Sequence, residues 1–333
     1  MTEAMQNKLG LFAENVRTIR GKFFFEDHMT KRLAALLYAQ EGKAIDCDAI
    51  RRCHEMIKKN TGIFSRFRGN MALCIASLLS LKEEQQSLLD KTLGVYKLLK
   101  AAKFFPSDFL VVAAFQIATQ ADSAEYVNVV ARTRAFYEGM KAKHFFYTGQ
   151  DDYIFSAMLG ITGLEPEAAT ARIETLFSQM KGGFFYKNSV QSLAQVLVLG
   201  SADDAAENRV FKLRDAFRAE KIRLDRSYTL PVLGILALLS EDMDTVVKDV
   251  DEAKANLRNE KGFGWFSVPT QELLLYAASL VAGEYAEGIK NGVITAAVST
   301  SITNIIIAQQ AALIAAMSAS HAAASASSSS ASS

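Results

Sequence analysis

The segment Leu230–Leu239 reads LPVLGILALL and carries no polar side chain. A helix that is apolar on every side must be covered by protein all round. Leucine and alanine outnumber β-branched residues in this and similar segments, and no Asn-Gly turn joins neighbouring segments, so β-hairpins are disfavoured. The segment therefore predicts a buried helix in an all-α protein.

Six more apolar runs of similar length occur along the 333 residues. The small residues near their centres are about 40 residues apart, a period typical of stacked helical pairs. The runs therefore predict seven inner helices of one repeat array. The other six runs are Leu33–Ala39, Met71–Leu79, Phe109–Ala118, Tyr153–Ile161, Ser192–Leu199 and Leu273–Ala282.

Longer amphipathic segments follow the runs. In Leu88–Lys100, for example, Leu89, Leu93 and Tyr96 share one helical stripe and Lys97 lies outside it. Similar segments are Glu125–Met140, Ala168–Met180, Ala205–Phe217 and Val246–Leu257. We expect about seven pairs of an inner and an outer helix, forming an α/α toroid or, alternatively, an α-solenoid. The toroid is favoured, because such apolar inner helices would pack on one another rather than line a broad concave surface.

Aromatic residues mark most junctions between an outer helix and the next inner helix. Such side chains are expected to act as plugs that wedge between neighbouring helical pairs. The junction at Ile222–Leu224 has no aromatic residue. The aromatic junctions are GKFFF (Gly21–Phe25), GIFSRF (Gly62–Phe67), KFF (Lys103–Phe105), HFFY (His144–Tyr147), GGFFY (Gly182–Tyr186) and GFGWF (Gly262–Phe266).

The composition excludes several classes of protein. Lys and Arg number 37 and Asp and Glu 36, so the net charge of +1 gives no reason to expect a nucleic-acid partner. Cys47, Cys53 and Cys74 have no zinc-ligand spacing and are expected to be reduced thiols. The segment Met1–Lys22 is charged throughout and lacks the apolar run of a signal peptide, so a cytoplasmic location is expected.

The sequence divides into three parts. Residues 1–290 are predicted to form a single helical-repeat domain, residues 291–317 an apolar C-terminal helix, and residues 318–333 a disordered tail of alanine and serine. Val293–Met317 is long enough to span a bilayer but is interrupted by several polar residues. Self-association or weak, peripheral membrane contact through this helix is therefore favoured over insertion.

Several strings in the chain carry a family resemblance. They are FFFEDHMTKRLAALLYA (Phe23–Ala39), NTGIFSRFRGNMAL (Asn60–Leu73), TRAFYEGMKA (Thr133–Ala142), TGQDDYIFSAMLG (Thr148–Gly160), NSVQSLAQVLVLG (Asn188–Gly200) and LDRSYTLPVLGILALL (Leu224–Leu239). With these strings the chain resembles a family of uncharacterised bacterial proteins, catalogued as domain of unknown function four-thousand-and-three. The resemblance implies a bacterial protein without an assigned activity, so it transfers no catalytic residue.

Candidate functional residues lie where the inner helices begin. If all outer-to-inner junctions share one end of the array, their polar side chains surround a common mouth, where helix N-termini favour an anionic ligand. Asp151 and Asp152, with Asp27, are the candidate catalytic carboxylates, because adjacent carboxylates can share a proton or hold a divalent ion. The candidate ligand-binding residues are Glu26, His28, Arg68, Asn70, Asp108, Gln150, Asn188, Asp225, Arg226, Tyr228 and Trp265.

A purely structural interpretation competes with this one. Asp108, Asp151, Asn188 and Asp225 stand where helix N-caps are expected whatever the function. No HExxH, GxSxG, Walker or GxGxxG motif occurs, so no cofactor, metal or enzyme class is assigned.

The sequence thus predicts a helical-repeat protein of unknown function that binds a partner or a small ligand at the mouth. Two alternatives stay open. One is an α/α-toroid enzyme that acts on a carbohydrate or isoprenoid through paired carboxylates. The other is a membrane-associated assembly formed through the C-terminal helix.

Overall fold

The computed structural model describes residues 1–200, 204–239 and 242–290. Within these ranges it contains α-helices, three short 3-10 segments and no strand, so the prediction of an all-α protein is confirmed. The predicted C-terminal helix (291–317) and tail (318–333) lie outside the described residues. The helices are α1 (Glu3–Arg20), α2 (His28–Gln40), α3 (Cys47–Asn60), α4 (Ala72–Ser80), α5 (Gln85–Ala101), α6 (Asp108–Gln120), α7 (Tyr126–Lys143), α8 (Asp152–Ile161), α9 (Pro166–Met180), α10 (Lys187–Leu199), α11 (Ala206–Ala219), α12 (Leu230–Leu239), α13 (Met243–Asn259) and α14 (Thr270–Lys290).

The even-numbered helices coincide with the seven apolar runs and are buried along most of their length. In α4 every residue except Ser80 is buried, and in α12 the stretch 230–237 is buried. α12 packs against α10, α11 and α14. The approach to α10 is close, because a β-carbon at Gly234 would lie 2.5 Å from Leu193 Cδ1. A larger residue at this position would therefore make the Leu193 side chain move.

The odd-numbered helices bury one stripe and expose the other faces. In α13, for example, Val246, Val250, Ala253 and Leu257 are buried at helical spacing. The helices α1 and α3 are not among the predicted amphipathic segments, although each buries a stripe at helical spacing, such as Ile50, Cys53 and Ile57 in α3. Pro166 is the first residue of α9, where its missing N–H interrupts no helical hydrogen bond.

The beginning and the end of the described chain pack on each other. α1 contacts α13 and α14, and α2 contacts α14. The ring of Phe12 lies 5.4 Å from that of Phe263 and 5.3 Å from that of Tyr276. Arg32 Nε donates to Glu272 at 2.7 Å, and Tyr276 donates to the same carboxylate at 2.5 Å. Both Arg32 and Glu272 are buried, so this ion pair lies inside the contact between α2 and α14.

The core is largely continuous, since one cluster of buried apolar residues extends from Met5 to Ala286. All three cysteines are free and buried, and burial raises the pKa of Cys74 to about 12. No described helix meets the length and apolarity that crossing a bilayer requires.

We expect Arg32→Ala to lower the free energy of unfolding by about 3–5 kcal/mol, because the substitution leaves the Glu272 carboxylate buried without its cation. Urea denaturation measures the change. The double variant Arg32→Met, Glu272→Gln should recover most of the loss, because it removes both charges and keeps an oxygen that can accept from Tyr276.

Lys58→Ala serves as the matched control, because Lys58 forms an exposed ion pair with Glu55 at 3.1 Å. Its cost should stay below about 1 kcal/mol. Equal losses in Arg32→Ala and Lys58→Ala would contradict the role assigned to the buried pair.

Candidate functional site

The starts of successive inner helices lie side by side. Hydrogen bonds join them from one junction to the next, which places six of these starts at the same end of the helices. We call this end the junction face and define it by residues 21–27, 61–71, 102–107, 144–151, 181–186, 220–229 and 260–269. The bonds are Asn70 to Asp108 (3.5 Å), the Phe105 amide to Tyr153 (3.4 Å), Asn188 to Asp151 (2.8 Å), Ser189 with Ser227 (3.4 Å) and Gln271 to Thr229 (2.7 Å).

Asp152 lies in the interior at the start of α8 and is 2% exposed. Its carboxylate accepts hydrogen bonds from the Gly149 amide at 2.9 Å, from Gln191 Nε2 at 3.0 Å and from Gln195 Nε2 at 2.7 Å. Burial and the adjacent charge of Asp151 raise the pKa of Asp152 to about 7, although the three donors oppose the shift. The carboxyl group thus titrates near neutrality while it links α8 to α10.

Asp151 does not share these donors. It precedes α8 but makes no capping hydrogen bond, and it accepts instead from Asn188 of α10. The two adjacent carboxylates therefore have separate partners, one half-buried near the surface and one in the interior. Their coupling is electrostatic.

The other two predicted acids are engaged elsewhere. Asp27 caps α2 by accepting from the amides of Met29 at 2.8 Å and Thr30 at 2.9 Å. Asp225 accepts from the guanidinium groups of Arg218 and Arg223. Burial alone would raise the pKa of Asp225, but the two arginines lower it overall. The structure gives Asp27 and Asp152 separate partners, and the catalytic role of Asp27 with Asp151 or Asp152 stays a prediction.

The capping interpretation of the polar residues is wrong in several cases. Ser107, not Asp108, caps α6 by accepting from the Leu110 amide at 3.1 Å. Asn188 lies within the first turn of α10 rather than before it. Asp108 is partly buried, which raises its pKa, while Arg66 and Asn70 oppose the shift. These side chains connect neighbouring helices instead of closing their own.

The remaining predicted residues are spread over the junction face. Arg68 donates to Thr61 and to main-chain oxygens at the end of α3, so it holds its own junction. The Arg258 guanidinium lies 4.4 Å from the Trp265 ring. Glu26 is half-buried, and burial together with Asp27 raises its pKa. Gln150 and Arg226 are exposed, His28 lines a cavity between α1, α2 and residues 261–267, and the side chain of Tyr228 lies outside the described residues.

The aromatic junction residues do two different jobs. One group is buried, as the plug interpretation expects: Phe67, Phe104, Phe184 and Phe263 are each at most 4% exposed. The others project into solvent, and the sequence did not distinguish them. Every large apolar side chain exposed in the described part of the chain, apart from Val127, lies in a junction. We call the largest of them the aromatic tips: Phe24, Phe25, Phe64, Phe105, Phe145, Phe146, Phe185, Trp265 and Phe266, with Ile63 beside them.

Charge is distributed unequally between the two ends of the helices. The segments of the junction face contain more basic than acidic residues, and the basic ones are Lys22, Arg66, Arg68, Lys103, Lys181, Lys221, Arg223, Arg226 and Lys261. The opposite loops are acidic. Their described carboxylates are Glu41, Asp46, Glu83, Glu84, Asp122, Glu125, Glu165, Asp204 and Asp242, against two lysines, Lys43 and Lys82.

No group of three or more His, Cys, Asp or Glu side chains placed to hold a metal ion occurs among the described residues. The junction face thus combines exposed aromatic side chains with an excess of basic over acidic residues.

The fold and this face define an all-α protein of paired inner and outer helices. The chain belongs to the family described as "Protein of unknown function (DUF4003)", whose model matches residues 15–311. It is also 24% identical over 317 residues to the "Uncharacterized protein YeaA" of Bacillus subtilis (strain 168), a match that covers 93% of this chain and 92% of that protein. No solved structure matches the chain significantly.

We expect the stability of the protein to fall as the pH rises towards neutrality, and Asp152→Asn to reduce that fall. The folded-state pKa of Asp152, about 7, lies above the ordinary 3.8, so the folded protein keeps a proton that the unfolded chain releases. The stabilisation is present at low pH and is lost as the pH rises to 7, by up to about 1.4 kcal/mol per pH unit. Urea denaturation at a series of pH values measures the slope.

Asp151→Asn is the matched control. It removes a neighbouring negative charge, so the sloping region should move to lower pH without disappearing. An Asp152→Asn protein with the wild-type slope would show that another group titrates.

Proposed function

We propose that the protein is a closed α/α toroid that docks on an anionic lipid bilayer through its junction face. The observation that carries this proposal is the concentration of exposed aromatic side chains in the junctions. The partner at the mouth of the inner helices is thus an anionic lipid surface rather than a small ligand.

Closure of the ring has direct support. An open solenoid leaves its first and last helical pairs apart, whereas here α1 contacts α13 and α14. The buried Arg32–Glu272 pair bridges the first and last inner helices. A ring also places all seven junctions on one circular face, which a flat bilayer can contact at once.

Four of the aromatic tips are almost completely exposed, so burial in the fold does not explain them. Phe25 and Phe266 are fully exposed, and Phe64 and Phe146 are 94% and 93% exposed. Complete burial of one such side chain is worth about 1.5–3 kcal/mol, so each tip forgoes most of that gain in water. Aromatic rings are favoured at the boundary between headgroups and acyl chains, which supplies the burial that the fold does not.

Most basic residues of the junction face lie in the same segments as the tips, although 144–151 has no Lys or Arg and 220–229 has no tip. They outnumber the carboxylates of these segments, which are Glu26, Asp27, Asp151, Glu220, Asp225 and Glu260. Each Lys or Arg held close to an anionic leaflet contributes about 1 kcal/mol to binding. The acidic residues at the opposite end would be repelled by the same surface, so the charge distribution also selects which end faces the membrane. The anionic leaflet on the cytoplasmic side provides this surface, in keeping with the predicted cytoplasmic location.

A lipid surface suits the pattern better than a protein partner. The tips are spaced around the face and separated by charged residues, whereas the centre of a protein interface is a contiguous apolar patch depleted in charge. Shallow insertion of separate side chains needs no such patch.

The enzyme alternative draws less support from the geometry. Asp152 is buried and accepts from the Gly149 amide and from two glutamine side chains of α10, and Asp27 caps its own helix. The alternative of an assembly through Val293–Met317 concerns residues outside the described part of the chain.

We expect the wild-type protein to bind phosphatidylcholine vesicles that contain about one third phosphatidylglycerol, and the triple variant Phe25→Ser, Phe64→Ser, Phe146→Ser to bind at least about tenfold more weakly. The three rings make no buried contact, so the variant should unfold at the wild-type temperature. Vesicle flotation measures the bound fraction.

Val127→Ser is the control, because Val127 is exposed near the opposite end. It should bind as the wild type does. Loss of binding in pure phosphatidylcholine and at high salt is also expected, since the cations act within a Debye length of about 8–10 Å. A wild-type protein that does not bind the anionic vesicles, or a triple variant that binds equally well, overturns the proposal.

A further inference from the structure

A basic cavity lies at the seam where the first and last helical pairs meet. The end of α1, the start of α2 and residues 261–267 enclose about 230 Å³. We call it the seam pocket. Its charged lining consists of Arg17, Arg20, Lys31, Arg32 and Lys261, with His28 beside them, and none of the described residues that line it is acidic. Arg17, Arg20 and Lys261 are exposed to solvent, whereas Lys31 and Arg32 are buried.

Part of that charge is neutralised within the protein. Arg32 is paired with Glu272 at 2.7 Å, and Arg17 with Glu260 at 2.9 Å. Both pairs direct the carboxylate away from the cavity, since neither Glu272 nor Glu260 lines it. These pairs therefore fix the positions of the arginines without filling the pocket.

Lys31 is the exception. It is 5% exposed, lines the pocket and makes no hydrogen bond or ion pair with any described residue. Glu26 is close enough for the positive charge of Lys31 to lower its pKa, but burial and Asp27 outweigh that effect and no ion pair forms. The stem of Lys31 is buried and its Nζ atom reaches the open space of the cavity, where no carboxylate of the described part of the chain serves as its partner. An anion in the seam pocket would provide that partner.

The size and donors of the pocket restrict the anion. At about 230 Å³ it is smaller than cavities that hold drug-sized ligands, which begin near 300 Å³. A compact phosphate fits, and a nucleotide does not. Arginine and lysine side chains bind phosphate oxygens with charge-assisted hydrogen bonds, and the Ser267 hydroxyl adds a neutral donor. A phosphomonoester, with up to two negative charges, matches this set best.

The pocket opens on the junction face. Phe266, which lines it, is a fully exposed aromatic tip. Gly262, on the same segment, has a φ of 104°, a conformation that other residues adopt only with strain, so this turn favours glycine. A group bound in the pocket would therefore lie next to the bilayer that the tips contact.

We propose that the seam pocket binds a phosphomonoester through Lys31 and Lys261 and that, with the bilayer docking proposed above, the ligand is a phosphomonoester headgroup presented by the membrane. Phosphatidic acid is the lipid with this headgroup. The same chemistry in a soluble phosphate is the second source, and the experiment separates the two.

The first arm uses soluble probes. We expect sn-glycerol 3-phosphate to raise the unfolding temperature of the wild type and to leave that of Lys31→Met unchanged, because methionine keeps the buried stem and removes the charge. Lys261→Gln, on the exposed loop, is a second variant whose folding is not at risk, and its affinity should fall about tenfold. Lys22→Met, which removes a cation of the junction face outside the pocket, is the control and should respond as the wild type does.

The second arm uses vesicles of phosphatidylcholine with either phosphatidic acid or phosphatidylglycerol at equal surface charge. The wild type should prefer phosphatidic acid, Lys31→Met should lose the preference while it still binds phosphatidylglycerol, and the triple phenylalanine variant should lose vesicle binding while it keeps the response to glycerol phosphate. A response to the soluble phosphate without a lipid preference assigns the pocket to the soluble source.

The proposed phosphate site is overturned if the wild type shows neither the glycerol phosphate response nor the preference for phosphatidic acid. It is also overturned if both effects persist in Lys31→Met and in Lys261→Gln. If only the docking proposal fails, the wild type still responds to glycerol phosphate but binds no vesicle.

Discussion

Complete coverage of apolar inner helices is the constraint on which the structure depends. α12 has no polar side and is stable in water only because α10, α11 and α14 surround it. Each inner helix thus needs a neighbour on both flanks and an outer helix behind it. The first and last inner helices would each expose a flank in an open stack, and the packing of α2 on α14 covers both. The contact of α2 with α14 is in this sense a consequence of how hydrophobic the inner helices are.

Polar bridges occur where that packing is looser. α8 and α10, and likewise α14 and α2, are less closely packed than α6 and α8 or α10 and α12. At the first pair Gln191 and Gln195 reach across to Asp152, and at the second Arg32 reaches across to Glu272. Long side chains span a gap that alanine and leucine would leave as a void. Because each buried carboxylate has its donors, these bridges also fix which faces of the helices meet.

The sequence predicted the positions of the inner helices but not the contacts of the residues in the junctions. The apolar runs placed all seven inner helices, because burial on every side leaves a local signature. The junctions have no such local signature. In Lys103–Phe105, Phe104 is buried against Tyr153 and its neighbour Phe105 is exposed. This difference depends on helices that are distant in sequence. For the same reason the sequence could not predict the separate partners of Asp151 and Asp152, or the pocket that both Lys31 and Lys261 line.

The helix dipole explains part of the charge difference between the two ends of the helices, but it does not explain the exposed aromatic residues. Outer helices end at the junction face, where basic residues such as Arg20 and Lys143 complement the negative C-terminal dipole, and they begin at the acidic end. Folding alone can thus account for many of these charges. It does not account for fully exposed phenylalanines or for a lysine whose buried stem ends without a partner at a cavity. Weak aromatic insertion and one charged pocket would each be insufficient for firm membrane attachment. In the proposed docking they would act together, because the tips would hold the seam pocket at the lipid surface, where the effective concentration of a headgroup is high.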